Sequence, residues 1–269
     1  MRHFVIGATG KVGRHVVSAL VERGESVRAL VRDPDTAGLP PQVELVPGEL
    51  PHAAGFANRV SGSDSVFLVW PFLTRRGAEE LVQAISGHAS RVVYLSAEAA
   101  SRRPESSWAA VEHAVEHSFD EWTFLRPTGF AANTLMWADQ IRRDNAVRWV
   151  YGEAARSLID QRDIADIAVR ALTEPGHAGQ RHVLTGPEAI TQIEQVRAIG
   201  TALGRELRWE EIQPDQLRDE LTGIPSSALE TWASFVHDPE IVTQTVREIT
   251  DRPARPFAQW AHDHADKFR

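Results

Sequence analysis

Gly7-Ala8-Thr9-Gly10-Lys11-Val12-Gly13 carries three glycines spaced three apart. A loop of this kind, leaving a strand and opening a helix, lets backbone N–H groups approach a pyrophosphate. The positive end of the helix dipole favours the same charge. The spacing is G-x-x-G-x-x-G, not the G-x-G-x-x-G of the common fingerprint. The context therefore carries the reading: an apolar strand at His3–Ile6 and a helical pattern over Val12–Arg23. About 20 residues past such a loop, an acidic side chain usually holds the ribose 2′-hydroxyl of NAD. Here the second strand ends in Val31-Arg32-Asp33-Pro34. The guanidinium fork of Arg32 suits a 2′-phosphate, while Asp33 could serve the hydroxyl of NAD. The pair predicts NADP(H) in preference to NAD(H).

A second pattern competes for attention. His113-Ala114-Val115-Glu116-His117 matches H-x-x-E-H, with two histidines one helical turn apart and Glu116 available as a base. It falls on a helix crossing between two strands, and no later carboxylate stands out as a third ligand. With 11 histidines in the chain, a chance match is easy. No metal is expected. The lysines are Lys11 and Lys267, the tyrosines Tyr94 and Tyr151, and cysteine is absent. Disulfides, thiolate metal sites and cysteine nucleophiles are therefore excluded.

These residues need a scaffold that brings strand ends together. Near-continuous apolar runs such as Phe4-Val5-Ile6 and Val66-Phe67-Leu68-Val69 read as parallel strands covered on both faces. Strands are predicted at His3–Ile6, Ser26–Val31, Val43–Val46, Ser65–Val69, Arg91–Leu95 and Trp122–Leu125. Helices at Val12–Arg23, Ala78–His88 and Ser107–His117 alternate with them. That alternation predicts right-handed βαβ units in a doubly wound α/β sheet of Rossmann type. After Arg126-Pro127 the pattern becomes mostly helical, with predicted helices at Phe130–Arg143, Arg162–Thr173, Thr191–Leu203, Pro214–Leu221, Ser226–Phe235, Glu240–Thr250 and Pro256–Lys267. Extended pieces are expected at Val147–Tyr151 and Ser157–Ile159, with one more sheet strand at His182–Leu184.

The chain has 269 residues, enough for one large domain or a domain with a smaller lobe. Twenty-nine basic residues against 37 acidic ones give a net charge of −8. That balance argues against direct nucleic-acid binding and against an anionic membrane surface, both of which favour a basic face. No leader pattern opens the sequence and no apolar run approaches the ~18 residues of a membrane span, so a cytoplasmic protein is expected.

Taken together, Val5-Ile6-Gly7-Ala8-Thr9-Gly10, Val31-Arg32-Asp33-Pro34, Phe67-Leu68-Val69-Trp70-Pro71, Tyr94-Leu95-Ser96-Ala97, Trp122-Thr123-Phe124-Leu125-Arg126-Pro127 with Phe130 and Asn133, and Asp160–Ala165 resemble the NmrA-like family. This is an atypical branch of the short-chain dehydrogenases/reductases, and the resemblance spans nearly the whole chain. It implies a nucleotide-binding Rossmann domain over 1–129 and 160–186. A smaller, mostly helical substrate-binding lobe would span 130–159 and 187–269, with a cleft between the two. By position, the resemblance puts Gly7, Thr9, Gly10, Lys11, Val12 and Gly13 on the cofactor and Arg32 on the 2′-phosphate. Trp70, Pro71 and Phe72 would line the adenosine–pyrophosphate side. Ser96, Pro127, Thr128, Gly129 and Phe130 would approach the nicotinamide. Gly48 is followed by Glu49 where the family often has Gly-Asp near the adenine.

Most short-chain dehydrogenases use a Tyr-x-x-x-Lys pair, in which lysine lowers the tyrosine pKa for proton transfer to a carbonyl. Glu98 follows Tyr94 by four residues and Ala155 follows Tyr151, so the pair is absent. Oxidation of an unactivated alcohol is not expected. A quinone, dye or other conjugated aromatic acceptor needs little acid catalysis, because the developing charge delocalises and water can supply the proton. Members of the family include NADPH-dependent quinone and triphenylmethane-dye reductases, and the same kind of activity is expected here. His113, then Tyr151, are the candidate proton donors. Trp137, Trp149 and Trp232, with Phe130 and Met136, could form an aromatic wall for a flat acceptor, although core packing competes for each. The alternatives are a non-catalytic NADP(H)-sensing regulator, and a cofactor-retaining enzyme of non-redox outcome. A monomer or homodimer is expected.

Overall fold

The structure, a computed structural model, describes residues 1–50, 56–220 and 226–269. In the first half, β1 (Arg2–Val5), β2 (Ser26–Val31), β3 (Glu44–Pro47), β4 (Ser65–Val69), β5 (Arg91–Leu95) and β6 (Glu121–Pro127) alternate with helices. These are α1 (Gly13–Glu22), α2 (Phe56–Val60), α3 (Ala78–Ser86), α4 (Ala99–Arg102) and α5 (Ser107–Ser118). There follow α6 (Ala138–Asp144), β7 (Ala146–Trp149), β8 (Ala155–Arg156), α7 (Gln161–Thr173), β9 (Gln180–Leu184) and β10 (Ile190–Thr191). The chain ends with α8 (Gln192–Leu203), β11 (Arg208–Glu211), α9 (Pro214–Glu220), α10 (Ser226–Ser234), α11 (Thr245–Thr250) and α12 (Phe257–Asp263).

Seven strands form one parallel sheet in the order β3-β2-β1-β4-β5-β6-β9. From β1 the chain winds outward through β2 and β3, then returns to the other side of β1 at β4. The β1/β4 boundary is therefore the topological switch point, where open α/β sheets place ligands beyond the carboxyl ends of their strands. Phe4, Val5, Val66 and Phe67 are wholly buried, as the unbroken apolar runs require of strands covered on both faces. α1 packs beside α7, and α3 beside α5. Full burial of each large side chain such as Phe4, Phe67 or Phe124 contributes about 1.5–3 kcal/mol.

Backbone contacts divide the described chain into two compact units. The first comprises 1–127 and 161–184 and holds the seven-stranded sheet. The second comprises 128–160 and 185–269. It contains a parallel pair, β7 with β11, an antiparallel pair, β8 with β10, and the helices from α8 onward. Its core gathers Trp137, Trp149, Ile199, Phe257, Trp260 and Phe268. Entry into α8 is set by a capping box: the Thr191 hydroxyl accepts from the Glu194 N–H, and the Glu194 carboxylate accepts from the Thr191 N–H.

Two sequence expectations are corrected by the structure, and one strand is added to them. The helix predicted over Phe130–Arg143 is a 3-10 stretch, Ala131–Trp137, followed by α6. Phe130 forms a bridge with Ile159, and the Ala131 N–H donates to the Ile159 carbonyl, so tertiary pairing displaces the first helical turn. The helix predicted over Glu240–Thr250 begins only at Thr245. The Glu240 N–H donates to the Ala155 carbonyl, and its carboxylate accepts from Arg156 and Ser157. Strand β11 was not anticipated; its alternation is short, and pairing with β7 creates it. The end of the predicted helix at Leu221 lies outside the described residues. Among the described residues, no helix is long and apolar enough to cross a membrane.

Candidate functional site

The glycine loop sits at the end of β1, at the switch point. Gly7 adopts φ +81°, and a Cβ there would meet the Cβ of Val69, in neighbouring β4, at 2.9 Å. A Cβ on Gly13 would lie 2.1 Å from the Gly7 carbonyl oxygen. Both positions therefore exclude any side chain, and the chain can close the Gly10 N–H onto the Gly7 carbonyl at 3.0 Å. Arg14 braces the turn from outside, donating from Nη2 to the Thr9 carbonyl at 2.8 Å. Helix α1 starts immediately after Val12, whose side chain cannot cap it, and its first turn holds no acidic residue. The N–H groups of Arg14 and His15 are turned onto the Gly10 and Val12 carbonyls. With no carboxylate in the first turn, however, the positive end of the helix dipole meets an anion unopposed, so the close-backed loop fits a pyrophosphate.

Trp70, Pro71 and Phe72 follow β4, directly across the switch point from this loop. Trp70 is buried, its Nε1–H donates to the Thr74 carbonyl at 2.8 Å, and its ring meets Phe72 edge-on at 5.0 Å. Beyond β2, Arg32 is exposed. Its neighbour Asp33 is engaged locally: one carboxylate oxygen accepts from the Asp35 N–H at 3.0 Å, the other from the Thr36 hydroxyl at 2.9 Å. Asp33 thus caps a short 3-10 turn.

At the ends of β5 and β6 the structure assembles a group the sequence reading missed. The Ser96 hydroxyl donates to Glu112 Oε1 at 2.6 Å, and Arg126 grips the same carboxylate with Nε at 2.9 Å and Nη2 at 2.6 Å. Glu112 is buried, and its hydrogen bonds, with its charge beside them, hold the Arg126 guanidinium above the usual arginine range. The Tyr94 hydroxyl has no hydrogen-bond partner among the described residues. Burial, and secondarily Glu112, pushes its pKa far up, so it stays a neutral phenol.

His113, one residue on from Glu112, points away to the exposed face of α5. There its ring stacks on His117 at 4.1 Å, and His117 Nδ1 meets the His113 carbonyl at 2.7 Å. Glu116 is ion-paired with Arg181. Among the described residues, no group of three metal-binding side chains comes together.

Pro127 ends β6 in the first unit; the second unit holds Thr128 and the candidates that follow it. Thr128 donates to the Ser157 carbonyl at 2.8 Å, and Phe130 is partly buried at the bridge to Ile159. A Cβ on Gly129 would meet Leu158 Cδ2 at 2.6 Å and Arg156 Nη2 at 2.7 Å, so the missing side chain is what lets Arg156 lie against this backbone. Met136, Trp137, Trp149 and Trp232 line one recess of about 70 Å³, together with Arg156; Phe130 does not line it. Trp137 meets Trp149 edge-on at 6.3 Å, and Trp149 leans on Trp232 at 5.9 Å. Tyr151 lies outside the recess lining, in a turn at φ +58° pinned by Glu211, which accepts from the N–H groups of Tyr151 and Gly152. Nothing in the sequence marks Arg156, Glu112 or Arg126 as partners, because each contact spans residues far apart in the chain.

Known proteins agree with this geometry. Residues 7–175 match the profile of a family described as NAD(P)H-binding. The chain is 37% identical to a (4-alkanoyl-5-oxo-2,5-dihydrofuran-3-yl)methyl phosphate reductase of Streptomyces griseus, over 98% of both chains. It is 34% identical to an NAD(P)H azoreductase of Xenophilus azovorans, again over 98% of both. The crystal structure of an NADPH-dependent quinone oxidoreductase from Escherichia coli, complexed with NADPH, shares the fold with a TM-score of 0.82 at 19% identity, covering 97% of this chain and 99% of that one. With the glycine cradle at the switch point, full-length relatives and a shared fold, this chain belongs to the NAD(P)H-binding family, in the NmrA-like branch of the atypical short-chain dehydrogenases/reductases.

Proposed function

We propose that the protein is an NADPH-dependent reductase of conjugated acceptors, with the first unit holding the nucleotide and the second the acceptor. The observation that carries this is the Gly7–Gly13 loop at the start of α1, where Gly7 and Gly13 leave no room for side chains and no acidic residue opposes an anion, a fit for pyrophosphate. The preference for NADP(H) is supported by the division of labour after β2. Asp33 is spent on two local hydrogen bonds, which leaves exposed Arg32 to meet a 2′-phosphate. Trp70, Pro71 and Phe72 would flank the adenosine–pyrophosphate side; Ser96, Pro127, Thr128, Gly129 and Phe130 would approach the nicotinamide.

When bound, the dihydronicotinamide supplies a hydride; with a proton from water this completes a two-electron reduction of the acceptor. Within the chain, Glu112 and Arg126 hold the Ser96 hydroxyl in one orientation, as a donor toward the carboxylate. The Tyr94 phenol is kept protonated, and no lysine stands beside it to change that. Acceptors that delocalise charge suit such a site. The relatives' names carry an azo group in one case and, in the other, an acylated unsaturated lactone that bears a methyl phosphate; the azo group and the lactone are both conjugated, electron-poor systems.

The test is oxidation of NADPH at 340 nm with a panel of quinones, azo dyes and conjugated lactones. Turnover with at least one class is expected. Intact NADPH binding with no turnover across the panel would reject the reductase and favour a nucleotide sensor. Arg32→Ala should lower the NADPH-over-NADH ratio of kcat/KM by about tenfold or more, given the ~1.5–3 kcal/mol of a hydrogen bond to a charged group.

A further inference from the structure

Two residues that line the recess of the second unit each carry a buried N–H donor with no hydrogen-bond partner among the described residues. Trp137 is 2% exposed, and its Nε1 has no hydrogen-bond partner among the described residues. The same holds for Nε of Arg156, and both residues line the same recess. Buried donors in a folded protein almost always find acceptors, so two orphans on neighbouring residues of one recess point to an oxygen supplied from outside the chain.

The charge of the recess narrows what that oxygen belongs to. Arg156 is not a free cation, because its Nη2 donates to Glu240 Oε1 at 3.2 Å and Glu240 is itself buried. Glu240 Oε2 also accepts from the Ser157 N–H at 3.1 Å, which fixes the carboxylate beside the guanidinium. The Arg156 guanidinium further lies over the Phe235 ring at 5.5 Å. The pair is neutral overall, and a phosphate or sulfonate brought here would face Glu240 without a spare positive charge. A neutral carbonyl oxygen has two lone pairs and no charge to desolvate, so it can accept from both donors at once. The tryptophan faces alongside favour a flat, conjugated body behind that carbonyl.

We propose that Trp137 and Arg156 form an acceptor-specificity subsite, in which the indole N–H and the guanidinium Nε–H donate together to one carbonyl oxygen of a neutral conjugated compound. The subsite rests on the reductase reading above, and it narrows the acceptor from any conjugated system to carbonyl-bearing ones. At about 70 Å³ the recess takes the carbonyl and the edge of its ring rather than a whole dye.

The test is calorimetric binding to the full chain saturated with NADP⁺, so that no turnover occurs. Three compounds are compared: 1,4-naphthoquinone, naphthalene and 1-naphthyl phosphate. Naphthoquinone should bind the wild-type chain about tenfold or more tighter than either of the others. Trp137→Phe keeps an aromatic ring and removes the N–H. Arg156→Lys keeps the cation for Glu240 and removes Nε–H. Each should weaken naphthoquinone by about three- to tenfold and leave naphthalene unchanged. Retained NADP⁺ affinity and melting temperature show that each variant is folded, and the proposal needs only one of the two to be so. Equal loss for quinone and hydrocarbon would reduce the site to a hydrophobic wall and overturn the proposal. Tightest binding of the naphthyl phosphate, falling with salt, would overturn it in favour of an oxoanion site. Turnover at 340 nm with no effect of either substitution on quinone affinity refutes the subsite alone. The expected binding pattern without turnover on any acceptor refutes the reductase alone.

Discussion

Glu112 carries a buried carboxylate that three side chains share an interest in: Ser96 and Arg126 donate to it, and its charge adds to the burial that keeps Tyr94 protonated. Both members of the ion pair are largely out of solvent, Glu112 at 7% and Arg126 at 14% side-chain exposure. Truncating one partner strands the other. Glu112→Ala should cost about 3–5 kcal/mol in urea unfolding, whereas the double substitution Glu112→Leu with Arg126→Met should recover much of that loss. Additive costs in the double variant would show that the pair is not coupled. The same position illustrates a limit of reading residues singly. His113 attracts notice for its chemistry, yet a helix turns about 100° per residue, and that turn sends His113 to solvent while Glu112 faces the sheet.

At the level of elements, the turn from β1 into α1 depends on the absence of two side chains more than on the presence of any. Gly13→Ala would press a Cβ to within 2.1 Å of the Gly7 carbonyl oxygen, which backbone alone must relieve. A loss of about 1–3 kcal/mol in stability is expected from overpacking, with NADPH affinity falling at least tenfold as the cradle shifts. Gly87→Ala is the matching control, since a Cβ there meets nothing within 4 Å and φ is −70°. It should be neutral or mildly stabilising, by up to ~1 kcal/mol. Equal effects of the two substitutions on nucleotide affinity would remove the cradle from its role. Strands β2, β4 and β5 fall where the apolar β-branched runs put them, because local pattern and tertiary burial agree there. Local pattern failed at the starts of two predicted helices, over 130–137 and 240–244. There, the N–H groups of Ala131 and Glu240 donate to the distant Ile159 and Ala155 carbonyls.

Across the whole molecule, stability should depend on pH through histidines that fold away from water. His182, on the last strand of the sheet, is held at about 4 by burial and by neighbouring His177, whose ring lies 5.5 Å away. Burial lowers His177 and His3 as well. A depressed histidine is neutral when folded but takes a proton once unfolded below its ordinary value near 6.5. The contribution is therefore complete above about pH 6.5 and is lost as pH falls from there toward 4. The melting temperature should drop across that interval, and His182→Asn should flatten the drop; an unchanged profile in that variant would assign it to other groups.

Much of this was determined by sequence alone. The glycine spacing, the apolar strands, Arg32 after β2 and the two-lysine count follow from residue identity and local pattern. They are enough to specify a Rossmann-type sheet, a nucleotide cradle and an easy acceptor as the expectation. Only the tertiary structure decided which polar groups meet. Glu112 with Ser96 and Arg126, Asp33 turned onto its own turn, and Arg156 with Glu240 beside Trp137 all depend on orientation. A hydrogen bond is made or lost over less than an ångström, and no spacing along a chain encodes the distance between residues 84 positions apart.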